Sequence, residues 1–241
     1  MSGRTNRLPD EARDQLRAEL VRAIPARYSP AFHLIFPSLI GIGIIVGCAL
    51  FLRHLQAWQL GMVPLAWVIL NAGEWRIHRD LLHKRTPGMK FLYDRHTPEH
   101  HMVFITEDMA MRSSREFRLV LIPPYGIVAA FAAALPAPIV LGLCGQLNLG
   151  LLFTATAMAY VVGYEWLHLS YHLPPDSFVG RRKLIGRLRR HHATHHNPEL
   201  MQKWNFNVSV PLWDLVRGTI YRADERREKL EQGRLGRGHQ V

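Results

Sequence analysis

The hydrophobic and polar positions of this chain fall into blocks. No Asp, Glu, Lys or Arg occurs between Tyr28 and Leu52, or across the 46 residues from Leu119 to Tyr164. Crossing a hydrocarbon layer about 30 Å thick takes roughly 20 mostly apolar residues in a helix. The longer block therefore suffices for two crossings, with a turn at Gly145-Gln146-Leu147-Asn148. Leu34 to Leu52 supplies a third, and Leu55 to Gly73, interrupted only by polar Gln and Asn, a weaker fourth. The pattern predicts four transmembrane helices in two hairpins.

Outside these blocks the pattern is helical but amphipathic. Residues 9 to 24 open with Pro and acids and place Ala12, Leu16, Leu20 and Ile24 at four-residue steps. That suits a helix lying on the membrane surface or one packed on the non-membrane part of the protein. The tail from Arg222 is charged and then Gly/Arg-rich, and is expected to form a short exposed helix and a disordered end. Three regions result: an N-terminal segment 1–30, a membrane domain 31–221 and a tail 222–241. The N-terminus lacks the pattern of a cleaved signal peptide.

The net charge is +11, which would fit a nucleic-acid binder, but its placement points elsewhere. Six Lys/Arg precede the first hairpin, nine lie between Glu74 and Arg118, and fourteen follow Glu165; only Arg53 falls elsewhere. Twenty-nine of thirty thus lie on one side, which the positive-inside rule assigns to the cytoplasm. Both termini are expected there, in an integral multi-pass protein of the type found in a bacterial inner membrane, with no nucleic-acid partner. Cys48 and Cys144 fall in the apolar blocks near the opposite end and read as two small buried hydrophobes rather than a disulfide.

The chemistry lies in the histidines. Eleven of fourteen fall in residues 78–101 and 168–196, where helices are expected to leave the membrane on the basic side. Residues three or four apart on a helix share a face, so His96 with His100, His168 with His172, and His192 with His195 and His196 are each expected to aim at one point. The five-residue step from His78 to His83 stacks less well and predicts a helix end or a local distortion. Imidazole suits iron, zinc and copper. Ten ligand candidates, His78, His83, His96, His100, His101, His168, His172, His192, His195 and His196, exceed what one ion uses and predict two metal ions. A neutral all-histidine set leaves a redox ion strongly cationic, which suits chemistry with O2. His191 should point away from the shared face and take a supporting role; His33, His54 and His239 are given none. Glu74 and Glu165, each followed by Trp and standing four and three residues before His78 and His168, are candidates to orient ligand imidazoles.

These motifs, HX4H at His78, HX3HH at His96, HX3H at His168 and HX2HH at His192, together with the closing "PLWD" and "GT", resemble in kind and order the fatty acid hydroxylase and sterol desaturase superfamily of membrane di-iron oxygenases. The resemblance covers about Leu34 to Tyr221. It implies an all-α fold, a four-helix membrane anchor beneath a cytoplasmic helical cap with a dinuclear metal centre between them. It further implies two iron ions, replaceable by zinc in isolated protein, O2 as co-substrate, and a lipid substrate. Electrons would come from a separate ferredoxin or cytochrome b5-like carrier. Hydroxylation of a fatty acyl chain or related lipid is the leading expectation, with desaturation on the same centre as the alternative. A two-zinc hydrolase is more distant. A non-enzymatic metal-binding or transport protein is disfavoured by the lack of ionisable residues between Leu119 and Tyr164.

Overall fold

The computed structural model describes residues 7–223 and is helical throughout, with no β-strand among the described residues. Helix α1 (Asp10–Ala23) precedes α2 (Pro30–Phe51), where Ser29 caps the Phe32 N–H at 3.2 Å and Pro30 occupies the first turn. After a short 3-10 turn comes α3 (Met62–Ile77). A layer of short elements follows: α4 (Lys90–Arg95), α5 (His101–Val103) and α6 (Phe117–Val120). The chain then runs through α7 (Pro124–Ala134), α8 (Pro136–Leu143) and α9 (Leu147–Tyr171), and ends with α10 (Lys183–His195) and α11 (Leu212–Arg217).

Three stretches are long and apolar enough to cross a membrane: Pro30–Phe51, Ser114–Leu143 and Leu147–Tyr171. Their large apolar side chains face outward, Leu39, Val46, Val128 and Leu143 among them, as lipid-facing surfaces do. α3 has 16 residues and covers about 24 Å of axis, less than the bilayer core. The second hairpin turns where the polar break predicted. Gly145, at φ 74°, follows the end of α8; its N–H bonds the Gly142 carbonyl and the Gln146 N–H bonds that of Leu141. This left-handed closure satisfies the orphan carbonyls of the helix end and suits glycine. Close packing follows: a Cβ on Gly150 would come within 3.0 Å of the Pro138 carbonyl oxygen and 3.2 Å of its Cα. Cys48 is buried in α2, but Cys144 is exposed at this turn and not buried as its composition suggested.

α9 is the central element, packed against α2, α3, α8 and α10. At its far end Leu169 joins Leu34, Val103, Phe104, Leu119 and Leu121 in a buried core. α1 lies on this core through Leu16, Leu20 and Val21, which decides between the two placements expected for it. Arg13 and Arg17 are buried beneath α1. Arg17 bonds Glu116 and the Ala110 carbonyl and lies 5.1 Å from the Phe104 ring centre. The tail was expected to run from Arg222 to Val241, and residues 224–241 of it lie outside the described residues.

Candidate metal centre

Two of the four histidine motifs sit on helix turns that are wider than α. α3 runs directly into a π-turn, His78–Leu82, and a second π-turn occupies His96–His100, where the His101 N–H bonds the His96 carbonyl. Bonds of the i→i−5 type bring residues five apart onto one face. The His78 and His83 rings accordingly stack with centroids 5.0 Å apart, so the awkward five-residue step is a distortion that aligns the pair. The same geometry corrects the expected grouping. His96 joins His101, with their Nε2 atoms 3.0 Å apart, while His100 turns to a different set.

The ten histidines fall into two groups of five: His78, His83, His96, His101 and His195 in one, and His100, His168, His172, His192 and His196 in the other. Within each group one ligand atom from every residue lies within 4.8 Å of all the others. His168 and His172 share a group, as their spacing suggested. The last motif divides: His192 and His196, one turn apart, stay together with Nε2 atoms at 3.0 Å, and His195 faces the first group. His191 belongs to neither. Its Nε2 bonds Asp214 at 3.2 Å. His33 bonds the Tyr28 hydroxyl and the Ile122 carbonyl, His54 lies in a loop at positive φ, and His239 lies outside the described residues.

The protonation pattern fits metal ligation. Five Nδ1 atoms face backbone carbonyls: His78 to Phe206, His100 to Leu119, His172 to Met109, His195 to Trp204 and His196 to Phe104. A carbonyl accepts only, so each Nδ1 carries the proton and each Nε2 presents a lone pair. The Nε2 atoms of His195 and His78 each meet another imidazole nitrogen: His83 and His195 Nε2 are 2.8 Å apart, and His78 and His96 Nε2 2.9 Å. Two nitrogens at right angles around one ion, each about 2.1 Å from it, are separated by about 3.0 Å. Buried nitrogens without any hydrogen-bond partner include His100 Nε2, His172 Nε2 and both nitrogens of His168. Unpartnered, buried imidazole nitrogens of this kind are suited to a cation.

Burial holds the ligand candidates neutral. Desolvation first, then the neighbouring imidazoles, push His83, His101, His192 and His195 well below the ordinary 6.5, and burial lowers His78 to about 4. Groups depressed on folding add no penalty above the unfolded value. As pH falls below about 6.5, the unfolded chain gains protons that the folded chain refuses, so stability declines. The melting temperature is therefore expected to change little from pH 8 to 7 and to fall from pH 7 to 5. A melting temperature that rises toward pH 5 would contradict the neutral assignment.

A buried polar scaffold positions the carbonyls. The segment Trp204–Val210 carries the acceptors for His78 and His195, and Asp214 grips it: its carboxylate accepts the Phe206 N–H at 3.0 Å, the Asn207 N–H at 2.8 Å and the Thr219 hydroxyl at 2.6 Å. Burial pushes this carboxyl up, but the bonds from His191, Thr219 and Asn207 outweigh it and keep it below its ordinary value. Glu74 accepts the Val208 and Ser209 N–H groups and the Tyr160 and Ser209 hydroxyls. Asn71 ties in from α3, donating to the Val210 carbonyl at 2.9 Å and accepting the Trp213 N–H at 2.9 Å. Glu165 accepts the Ile122 N–H at 3.2 Å, close in sequence to Leu119, the acceptor for His100. Glu74 and Glu165 thus hold backbone rather than bonding an imidazole. Asp214 and Asn71 had no role assigned from sequence, although "PLWD" and a polar residue inside an apolar block were their signals.

Residues 63–219, well over half of the chain, match the family model for fatty acid hydroxylase, and the chain belongs to that family. Membership places it with oxidoreductases, and the matched span includes all ten histidines, Glu74 and Asp214. No curated protein and no solved structure matches the chain.

Proposed function

We propose that this protein is a membrane di-iron oxygenase that hydroxylates a lipid, a fatty acyl chain or a related molecule, using O2 and electrons from a separate ferredoxin or cytochrome b5-like carrier. The observation that carries the reading is the pair of five-imidazole groups with convergent ring nitrogens, one group per ion. Two irons, when bound, would supply activation of O2 for attack on an unactivated C–H bond. The chain's own residues fix five of the ten tautomers through backbone carbonyls, exclude bulk water by burying nine of the ten rings, and hold the carbonyl-bearing segments through Asp214, Glu74 and Glu165. Zinc fits the same nitrogens and is the ion expected to replace iron in isolated protein.

The placement of charge supports an orientation with both termini and the metal groups in the cytoplasm, as in a bacterial inner membrane. In this reading α3 makes the fourth crossing and its π-turn stands at the cytoplasmic end, residues 31–221 form the membrane domain, and residues 1–30 and 222–241 flank it. A lipid substrate would then reach the centre from the bilayer without leaving its apolar surroundings.

The test compares the lipids of cells expressing the protein with those of cells expressing His195→Ala, by untargeted mass spectrometry under air and with a donor system supplied. A lipid heavier by one oxygen only with the intact protein is expected. A lipid lighter by two hydrogens would reassign the reaction to desaturation, and an unchanged lipid profile despite full metal loading would sink the oxygenase reading.

A further inference from the structure

From Ser177 to Pro198 the chain carries six Lys/Arg and no Asp or Glu. Arg181, Arg182, Lys183 and Arg187 are exposed, and among the described residues no carboxylate pairs with them. Two large apolar side chains stand among these cations, Phe178 at 66% and Leu184 at 65% exposure. The Arg182 guanidinium lies 4.2 Å from the Phe178 ring centre and that of Arg181 5.5 Å. The loop that presents them is tightly built. The Ser177 N–H bonds the Pro174 carbonyl at 3.0 Å, the Gly180 N–H bonds Ser177 Oγ at 3.0 Å, and the Arg181 N–H bonds the Ser177 carbonyl at 3.1 Å. A Cβ on Gly180 would overlap the Pro174 carbonyl oxygen.

We propose that residues 178–187 form a docking surface for the anionic headgroup layer of the bilayer, with Phe178 and Leu184 at the acyl boundary and Arg181, Arg182, Lys183 and Arg187 on lipid phosphates. Position supports this occupant: α9, a candidate span, ends at Tyr171, so Phe178 lies only a short loop beyond the membrane end. Chemistry supports it as well. Cations beside aromatic and aliphatic side chains are the composition of interfacial segments, and each Lys or Arg near an anionic surface adds attraction. An acidic protein partner would be met by the cations alone, whereas rigidly exposed Phe178 and Leu184 call for an apolar phase, which the neighbouring bilayer supplies. The consequence reaches the metal groups, because the same α10 delivers His192 and His195 from its other end. Anchoring the first turn of α10 at the headgroups fixes the level at which those imidazoles stand. None of this depends on which metal is bound or which reaction is run.

Hydrogen exchange of the full chain in lipid nanodiscs tests the surface. Backbone amides of residues 176–188 are expected to exchange about tenfold more slowly in discs containing phosphatidylglycerol than in discs of phosphatidylcholine alone. Combining Arg181→Gln, Arg182→Gln and Lys183→Gln should erase that difference while metal content stays at the wild-type level, which shows that the variant is folded. Phe178→Ser should reduce protection in both discs. Equal exchange of the wild type in the two discs overturns the proposal, as does protection that survives the triple substitution. Protection conferred only by adding a soluble acidic ferredoxin would assign the surface to a protein partner instead.

Discussion

Asp214→Ala is expected to destabilise the protein by about 3–5 kcal/mol, because it removes the acceptor for several buried donors at once. The carboxylate is fully buried, and the Phe206 and Asn207 N–H groups and the Thr219 hydroxyl all end on it. The Phe206 and Asn207 donors are buried and have no water to turn to. The segment they anchor also carries the Trp204 and Phe206 carbonyls that fix His195 and His78. Loss of such outer partners lowers metal affinity by about 10–100-fold. The weakened ion should be the one held by His78, His83, His96, His101 and His195, while the other group, whose carbonyl partners lie at Phe104, Met109 and Leu119, keeps its own. Asp214→Asn retains one oxygen and the side-chain volume, so it should fall between. Calorimetry and metal analysis of purified protein measure both effects. An alanine variant with wild-type stability and metal content would remove Asp214 from the scaffold.

The second large effect separates neighbours in sequence. His100 and His101 are adjacent but belong to different groups, so His100→Ala and His101→Ala should each leave one five-nitrogen set intact and one with four. Each variant is expected to retain about one tightly bound metal per chain instead of two. Each should also lose more activity than the 10–100-fold that follows loss of an outer partner. The double substitution should lose both ions. If the single variants both lose all metal, the two groups do not bind independently. If His96→Ala combined with His101→Ala removes both ions while His96→Ala combined with His100→Ala leaves one, the grouping by π-turn is wrong.

The sequence announced much of this arrangement because the signals involved are local. An uncharged block of 46 residues has few states open to it other than a paired crossing, and a glycine in a polar break is where such a pair turns; both appear in α7–α9 and at Gly145. The ten histidines were recognisable as a set because imidazole is the side chain suited to these metals and because their clustering at the ends of apolar blocks has little structural use otherwise. The amphipathic face of α1 was equally plain, but its destination was not: a stripe of Ala and Leu fits a lipid surface or a protein core, and the packing of Leu16, Leu20 and Val21 with the buried Arg17–Glu116 contact decides for the core.

What only the tertiary structure decided is which imidazoles act together. Reading the motifs at the α-helical period paired His96 with His100 and His192 with His195, and the π-turns and the path of α10 place each of those pairs on opposite sides. A π-turn costs one regular hydrogen bond and is stabilised by packing, so no residue type marks it in advance. The carbonyls that set the tautomers of His78, His100, His172, His195 and His196 are likewise invisible in a sequence, since any residue can supply one. Their positions depend on Asp214, Glu74 and Asn71 closing distances of more than a hundred positions along the chain in the last two cases. Residue chemistry and local periodicity thus determined the apolar blocks and the set of candidate ligands, and the fold, through long-range hydrogen bonds that fix the backbone, determined how those imidazoles are grouped.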